Sequence, residues 1–243
     1  MDISVISTAQ QAQGIDFGGK VAVVIDVLRA TSVITTALEN GAREVVPVKT
    51  IEEAQSLYAR LEPATTLLGG ERNAVKIDGF DLSNSPLEYK KKTVEGKTLI
   101  LTTTNGTCAI NNVKDADEVV LACFRNAEAV AHHLVEMSQC GISTNVVIVC
   151  AGTEGRFSLD DGLCAGMLLE LLKQQTEVKV DDLGLLLNHY YNEHKTNLFG
   201  ALSGCFHLKR LFTLGFYDDI KFCLEANRVA TVPVVKEGKI AKS

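Results

Sequence analysis

The run Val21-Ala22-Val23-Val24-Ile25 constrains this chain most, because it is apolar throughout and shows no alternation. A strand of this kind has both faces covered, as in a parallel sheet lying between helix layers. Asp26-Val27-Leu28-Arg29 follows at once, then a helical pattern over 31–40 that Gly41 stops. The plan repeats. Strands are expected at 2–7, 44–48 and 65–68, and a helix at 51–61 with Thr50 and Glu53 forming its capping box. After a long polar stretch over 71–97 the order restarts, with strands at 98–101, 118–121 and 146–150 and helices at 106–112, 126–138 and 160–174. This strand–helix alternation predicts an α/β fold, a parallel sheet covered by helices, divided into 1–97 and 98–243. Helical patterns at 181–192, 197–203, 205–214 and 217–224 make the end of the chain helical, before a late strand at 230–235 whose Pro233 points to an edge.

Composition narrows the function classes. The net charge of −6 leaves no basic stripe, which argues against nucleic acid as a partner. No apolar run approaches the length of a membrane span. Residues 1–5 carry neither a basic nor an apolar leader pattern, and the seven cysteines include no Cys-x-x-Cys pair. Free thiols in a cytoplasmic protein are therefore expected. The Leu183, Leu185, Leu186 and Leu187 run suits either the core or the interface of a homodimer.

Four stretches carry polar chemistry directly after a strand, where ligands sit in open α/β sheets. Asp26 and Arg29 put a metal-ligating carboxylate beside an anion-binding guanidinium, or form a plain ion pair at a strand end. Gly69-Gly70-Glu71-Arg72 repeats that pairing, its glycines allowing close approach to a ligand, and Lys76, Asn84 and Ser85 follow in the polar stretch. Thr103-Thr104-Asn105-Gly106 opens a helix with a donor-rich nest suited to phosphate oxygens, but without the lysine of a nucleotide-binding loop. Cys150 and Arg156 have the Cys-x5-Arg spacing of a cysteine phosphatase, although Val149 stands where that class has histidine and Glu154 would repel a thiolate. Asp160 and Asp161 are helix N-terminal acids or metal ligands. The five histidines form no metal-binding pattern, so a hard cation on carboxylates, such as Mg²⁺, suits the residues better than zinc.

Several motifs in one order carry a resemblance across nearly the whole chain. They are Asp-Val-Leu-Arg-Ala-Thr-Ser at 26–32, Gly-Glu-Arg at 70–72, Gly-Phe-Asp at 79–81, Asn-Ser-Pro at 84–86, Thr-Thr-Thr-Asn-Gly-Thr at 102–107, Cys-Ala-Gly at 150–152 and Ser-Leu-Asp-Asp at 158–161. The chain resembles the ComB family of 2-phosphosulfolactate phosphatases. Asn73 and Ala74 depart from it where a glycine is expected nearby, as does Ser83, and 203–207 matches only loosely.

The resemblance implies α/β/α layers with mixed, largely parallel sheets in two related halves. It also implies Mg²⁺-dependent hydrolysis of 2-phospho-3-sulfolactate to 3-sulfolactate and phosphate, in the coenzyme M route. The substrate would be a small anion with phosphate, carboxylate and sulfonate groups. The expected metal ligands are Asp26, Glu71 and Asp161, and the expected catalytic residues are Asp26, Arg29, Glu71 and Asp160. Arg29, Arg72, Lys76, Asn84, Ser85, Thr103, Thr104, Asn105, Gly106 and Arg156 are expected to bind substrate. The competing readings are a cysteine phosphatase using Cys150 and Arg156, a non-catalytic binder of small anions, and a structural subunit.

Overall fold

The computed structural model describes residues 1–141 and 145–243. Its strands are β1 (Asp2–Ile6), β2 (Val21–Ile25), β3 (Glu44–Pro47), β4 (Thr66–Arg72), β5 (Val75–Lys76), β6 (Thr98–Thr102), β7 (Glu118–Ala122), β8 (Asn145–Cys150), β9 (Lys179–Val180), β10 (Pro233–Lys236) and β11 (Lys239–Lys242). The α-helices are α1 (Ala30–Glu39), α2 (Ile51–Tyr58), α3 (Lys91–Val94), α4 (Gly106–Asn112), α5 (Ala127–Gln139), α6 (Leu159–Lys173), α7 (Asp182–His194), α8 (Leu198–Leu202), α9 (Phe206–Thr213) and α10 (Tyr217–Cys223). Among the described residues the strands join in the order β5-β4-β6-β3-β11-β10-β7-β2-β8-β1-β9. Two parallel groups, β4-β6-β3 and β7-β2-β8-β1-β9, are linked by the antiparallel β10–β11 hairpin. The sheet is therefore mixed and largely parallel, as the motifs implied. β1 and β2 lie among strands of the later stretch, so strand neighbours cross the 97/98 division.

β2 shows why the layers form. Val21, Val23 and Ile25 pack with the buried faces of α5 and α6, while Ala22 and Val24 pack with α1 and α4 on the other side. All five side chains are fully buried, and each large one contributes about 1.5–3 kcal/mol by leaving water. Helix α1 is buried along nearly its whole length, so its β-branched residues are held by packing rather than by helix propensity. The hydroxyls this burial would strand are returned to the backbone. Ser32 donates to the Val27 carbonyl at 2.8 Å and Thr36 to the Ser32 carbonyl at 2.7 Å. α7 packs on α6 at Gly166, where a Cβ would lie 2.2 Å from the Leu187 carbonyl oxygen. Leu187 is buried in that contact, whereas Leu185 and Leu186 are exposed.

Three local expectations need correction. Gly69 and Gly70 do not end β4 or admit a ligand; the strand runs on to Arg72 and turns back at Asn73-Ala74 into β5. A Cβ on Gly70 would fall 2.1 Å from the Thr102 carbonyl oxygen, and one on Gly69 would fall 2.4 Å from the Tyr89 hydroxyl, so the glycines let β4 lie against β6. The late strand β10 is not an edge strand. Pro233 is its first residue, where a missing N–H costs little, and the following residues pair with both β7 and β11. β11 itself had too short a pattern to read, with Ile240 its one fully buried side chain. Among the described residues, no helix is long and apolar enough to cross a membrane.

Candidate active site

One cleft collects residues from the ends of four strands and from α9. It is lined by Asp26, Leu28 and Arg29 after β2, Glu71, Asn73 and Ala74 at the β4–β5 turn, and Asn84 beyond β5. Thr103, Thr104 and Asn105 after β6, Thr153 and Glu154 after β8, and His207, Arg210 and Leu211 of α9 complete it. Seven of the residues expected to form a site therefore meet: Asp26, Arg29, Glu71, Asn84, Thr103, Thr104 and Asn105.

Asp26 is fixed by the start of α1. Its Oδ1 accepts the Ala30 N–H at 3.1 Å, and its backbone carbonyl accepts the Thr31 hydroxyl at 2.8 Å. Gly106 lies directly against it, since a Cβ there would come 2.7 Å from Oδ2. Burial raises the Asp26 carboxyl to about 6; His207 pulls it down, and Asp160 and Glu71 add to the rise. Glu71 is a strut between loops, with Oε2 accepting the Ala74 N–H at 2.7 Å and Oε1 the Thr104 N–H at 2.8 Å. Thr103, two residues ahead of the Asn105 N-cap, accepts the Thr107 N–H of the first turn of α4 at 3.2 Å.

Arg29 does not pair with Asp26. It donates to Asp219 of α10 at 2.5 Å and to the Ala74 carbonyl at 3.2 Å, and it lies 4.0 Å above the Phe216 ring. Asp219 also accepts the Ser85 hydroxyl at 2.7 Å, so Ser85 positions Asp219 and does not line the cleft. Arg72 is turned to the Glu71 carbonyl and the Thr102 hydroxyl, at 2.7 and 2.9 Å. Lys76 and Arg156 are exposed and line other depressions.

Asp161, expected on a metal, accepts the Val27 N–H and the Gly152 N–H, both at 2.9 Å, and so pins the end of β2 to the end of β8. Burial, with Asp160 and Asp26 nearby, pushes its carboxyl well up. Neither it nor Asp160 lines the cleft. Asp160 stands behind His207 instead, 3.3 Å from Nδ1, and accepts the Ser158 hydroxyl at 2.6 Å. Burial opposes the Asp160 charge, but His207 and the Ser158 hydrogen bond hold its carboxyl below the usual range.

Cys150 is fully buried at the end of β8, and burial together with Asp161 and Asp160 drives its thiol well above the usual value. A thiol so far from ionising, with Arg156 exposed outside the cleft, is a poor nucleophile.

Sequence reading missed Thr153, Glu154, His207, Arg210 and the anchoring Asp219. A signal existed for two of them. His207 and Arg210 are three apart on a short helix whose Leu208 and Leu211 are buried, which places two cationic groups together on one face.

The donor set can be tested against a divalent cation. Among the described residues no three His, Cys, Asp or Glu side chains converge as a complete metal cage. Mg²⁺ does not need one, because it binds through one or two carboxylates and keeps waters and substrate oxygens. Asp26 and Glu71 would provide the carboxylates. Asn84 Oδ1 is the one buried side-chain nitrogen or oxygen among the described residues without a hydrogen-bond partner, and Asn84 lines the same cleft. An unpartnered buried acceptor is costly unless something occupies it. The set is all oxygen and fits Mg²⁺.

The family model described as 2-phosphosulpholactate phosphatase matches residues 6–238. The chain is 50% identical over 228 residues to a probable 2-phosphosulfolactate phosphatase of Caldanaerobacter subterraneus, covering 94% of this chain and 92% of the relative. Relatives with the same name from Clostridium tetani and Clostridium perfringens are 42% and 43% identical, over 99% of this chain and 100% and 96% of their own lengths. With that match running through every loop that builds the cleft, the chain belongs to the 2-phosphosulpholactate phosphatase family.

Proposed function

We propose that this protein is a Mg²⁺-dependent phosphatase that hydrolyses 2-phospho-3-sulfolactate to 3-sulfolactate and phosphate, a step toward coenzyme M. The observation that carries the reading is the position of Asp26, a buried carboxylate at the carboxyl end of a central parallel strand, opening on the cleft beside Glu71 and Asn84. Asp26 and Glu71 would hold the cation, with Asn84 Oδ1 a third oxygen. Bound Mg²⁺ would neutralise phosphoryl charge and lower the pKa of a coordinated water.

Charge accounting supports the cation. Arg29, His207 and Arg210 each already face a carboxylate, in Asp219, Asp160 and Glu154. Asp26 and Glu71 are left without a cationic side chain of their own, so a multiply charged anion entering the bare cleft would be repelled. Substrate oxygens would be held by the N–H groups of Arg29 that Asp219 and Ala74 leave free, by the Thr104 hydroxyl and by the Asn105 amide. Arg210 lies half-exposed, and its exposed partner Glu154 is easily displaced by a substrate carboxylate or sulfonate.

The test is phosphate release from 2-phospho-3-sulfolactate with EDTA and then with Mg²⁺ restored. Release that stops and returns is the expected result. Release indifferent to EDTA would overturn the metal assignment, and binding without release would leave a small-anion binder.

A further inference from the structure

We infer that His207 is the proton donor to the C2 oxygen of the departing sulfolactate, with Asp160 and Ser158 as its positioning residues. This rests on the phosphatase reading above and adds to it the residue that completes cleavage.

The imidazole is held as a proton donor must be. α9 begins at Phe206, with Cys205 Sγ accepting the Leu208 N–H at 3.3 Å, and buried Leu208 and Leu211 anchor the helix. His207 therefore sits in a helical first turn with its ring on the cleft wall, its side chain only 13% exposed. Nδ1 lies 3.3 Å from Asp160 Oδ2 and 3.4 Å from Ser158 Oγ. Ser158 donates to Asp160 Oδ1 and is itself 3.0 Å from Thr153 Oγ1. Asp160, Ser158 and Thr153 are all buried. A buried carboxylate on Nδ1 fixes ring orientation and tautomer and leaves Nε2 as the working nitrogen. Nε2 has no hydrogen-bond partner among the described residues.

The surroundings favour the protonated ring. Burial alone would lower its pKa, but the Asp160 charge and hydrogen bond, with Asp26 across the cleft, raise it above the ordinary histidine value. The arrangement makes sense when the proton is to be given away. The leaving group is an alkoxide, a strong base that departs poorly unprotonated.

The bond between phosphorus and the C2 oxygen breaks, and that oxygen takes the Nε2 proton of His207 to become the sulfolactate hydroxyl. The water oxygen bonds to phosphorus, and the phosphate leaves as dihydrogen phosphate. One of its protons returns to Nε2, directly or through solvent.

The test compares Mg²⁺-loaded wild type, His207→Gln and Asp160→Asn on 2-phospho-3-sulfolactate and on p-nitrophenyl phosphate, whose leaving group needs no proton. His207→Gln is expected to lose about 10²–10⁴-fold in kcat on the alkyl ester and less than about tenfold on the aryl ester. Asp160→Asn should show a smaller loss with the same selectivity. Mn²⁺ affinity, read by titration, should be unchanged in His207→Gln. Equal losses on both esters, or no loss on either, would overturn the inference. If wild type refuses the aryl ester, His207→Gly with added imidazole decides: restored alkyl-ester hydrolysis supports the role, and no restoration overturns it. Wild type without release from 2-phospho-3-sulfolactate would bring down the phosphatase reading itself, and this inference with it.

Discussion

Arg29 and Asp219 are 190 residues apart in the chain and form a 2.5 Å ion pair in the interior. The pair ties the loop after β2 to α10, and through Ala74 and Ser85 it also holds the β4–β5 turn and the segment beyond it. The C-terminal helices are thus part of the wall of the cleft.

Removing one partner of a buried pair leaves the other charge uncompensated. Asp219→Ala should lower unfolding free energy by about 3–5 kcal/mol. Because Arg29 then loses its tether, kcat/KM should fall by about 10²-fold. Urea denaturation and steady-state kinetics at a temperature where the variant is folded check both. An unchanged midpoint would show that the pair does not hold the helices in place.

Asp26→Asn should abolish turnover and weaken Mn²⁺ binding while leaving the circular dichroism spectrum intact. It also has a stability signature in EDTA. Burial raises the folded carboxyl from 3.8 to about 6, with Glu71 and Asp160 adding and His207 and the Ala30 N–H subtracting. The folded state then holds the proton more tightly than the unfolded chain, so wild-type stability from this group falls as pH rises from about 4 to about 6. Asp26→Asn lacks that loss and should become the more stable protein above pH 6, by about 3 kcal/mol at most. A pH-independent difference between the two would contradict the assignment.

Cys150→Ala should retain phosphate release, and alkylating reagents should leave the native wild type active, because the thiol is buried and held un-ionised. Loss of activity in a folded Cys150→Ala protein would bring the cysteine mechanism back.

Ala74 sits at φ 67 and Asn73 at φ 56, in the two-residue turn between β4 and β5. Such turns favour Asn-Gly, since a Cβ at the second position is strained there. Ala74→Gly should raise stability by about 1 kcal/mol, the relieved strain exceeding the entropy glycine adds to the unfolded chain. A lower melting temperature for the variant would refute that.

The chain's local patterns were enough to reach the α/β layering, the buried β2 strand and the loops that follow it. Burial of a strand on both faces writes itself as an unbroken apolar run, and helix ends write themselves in Thr50, Glu53 and Gly41. Asp26, Glu71 and Thr103 to Asn105 were legible for the same reason, since each lies at or just after a strand end. What the sequence could not decide was partnership across distance. Arg29 reads locally as the neighbour of Asp26, but only the folded chain brings Asp219 to it. Asp161 reads as a ligand, yet the close approach of β2 and β8 turns it onto the Val27 and Gly152 N–H groups, behind the cleft wall and out of its lining. His207 reads as one more histidine until α9 packs against the β8 loop and sets a buried carboxylate behind it. Such roles arise from charges and hydrogen bonds between segments far apart in the chain, and no local spacing encodes them.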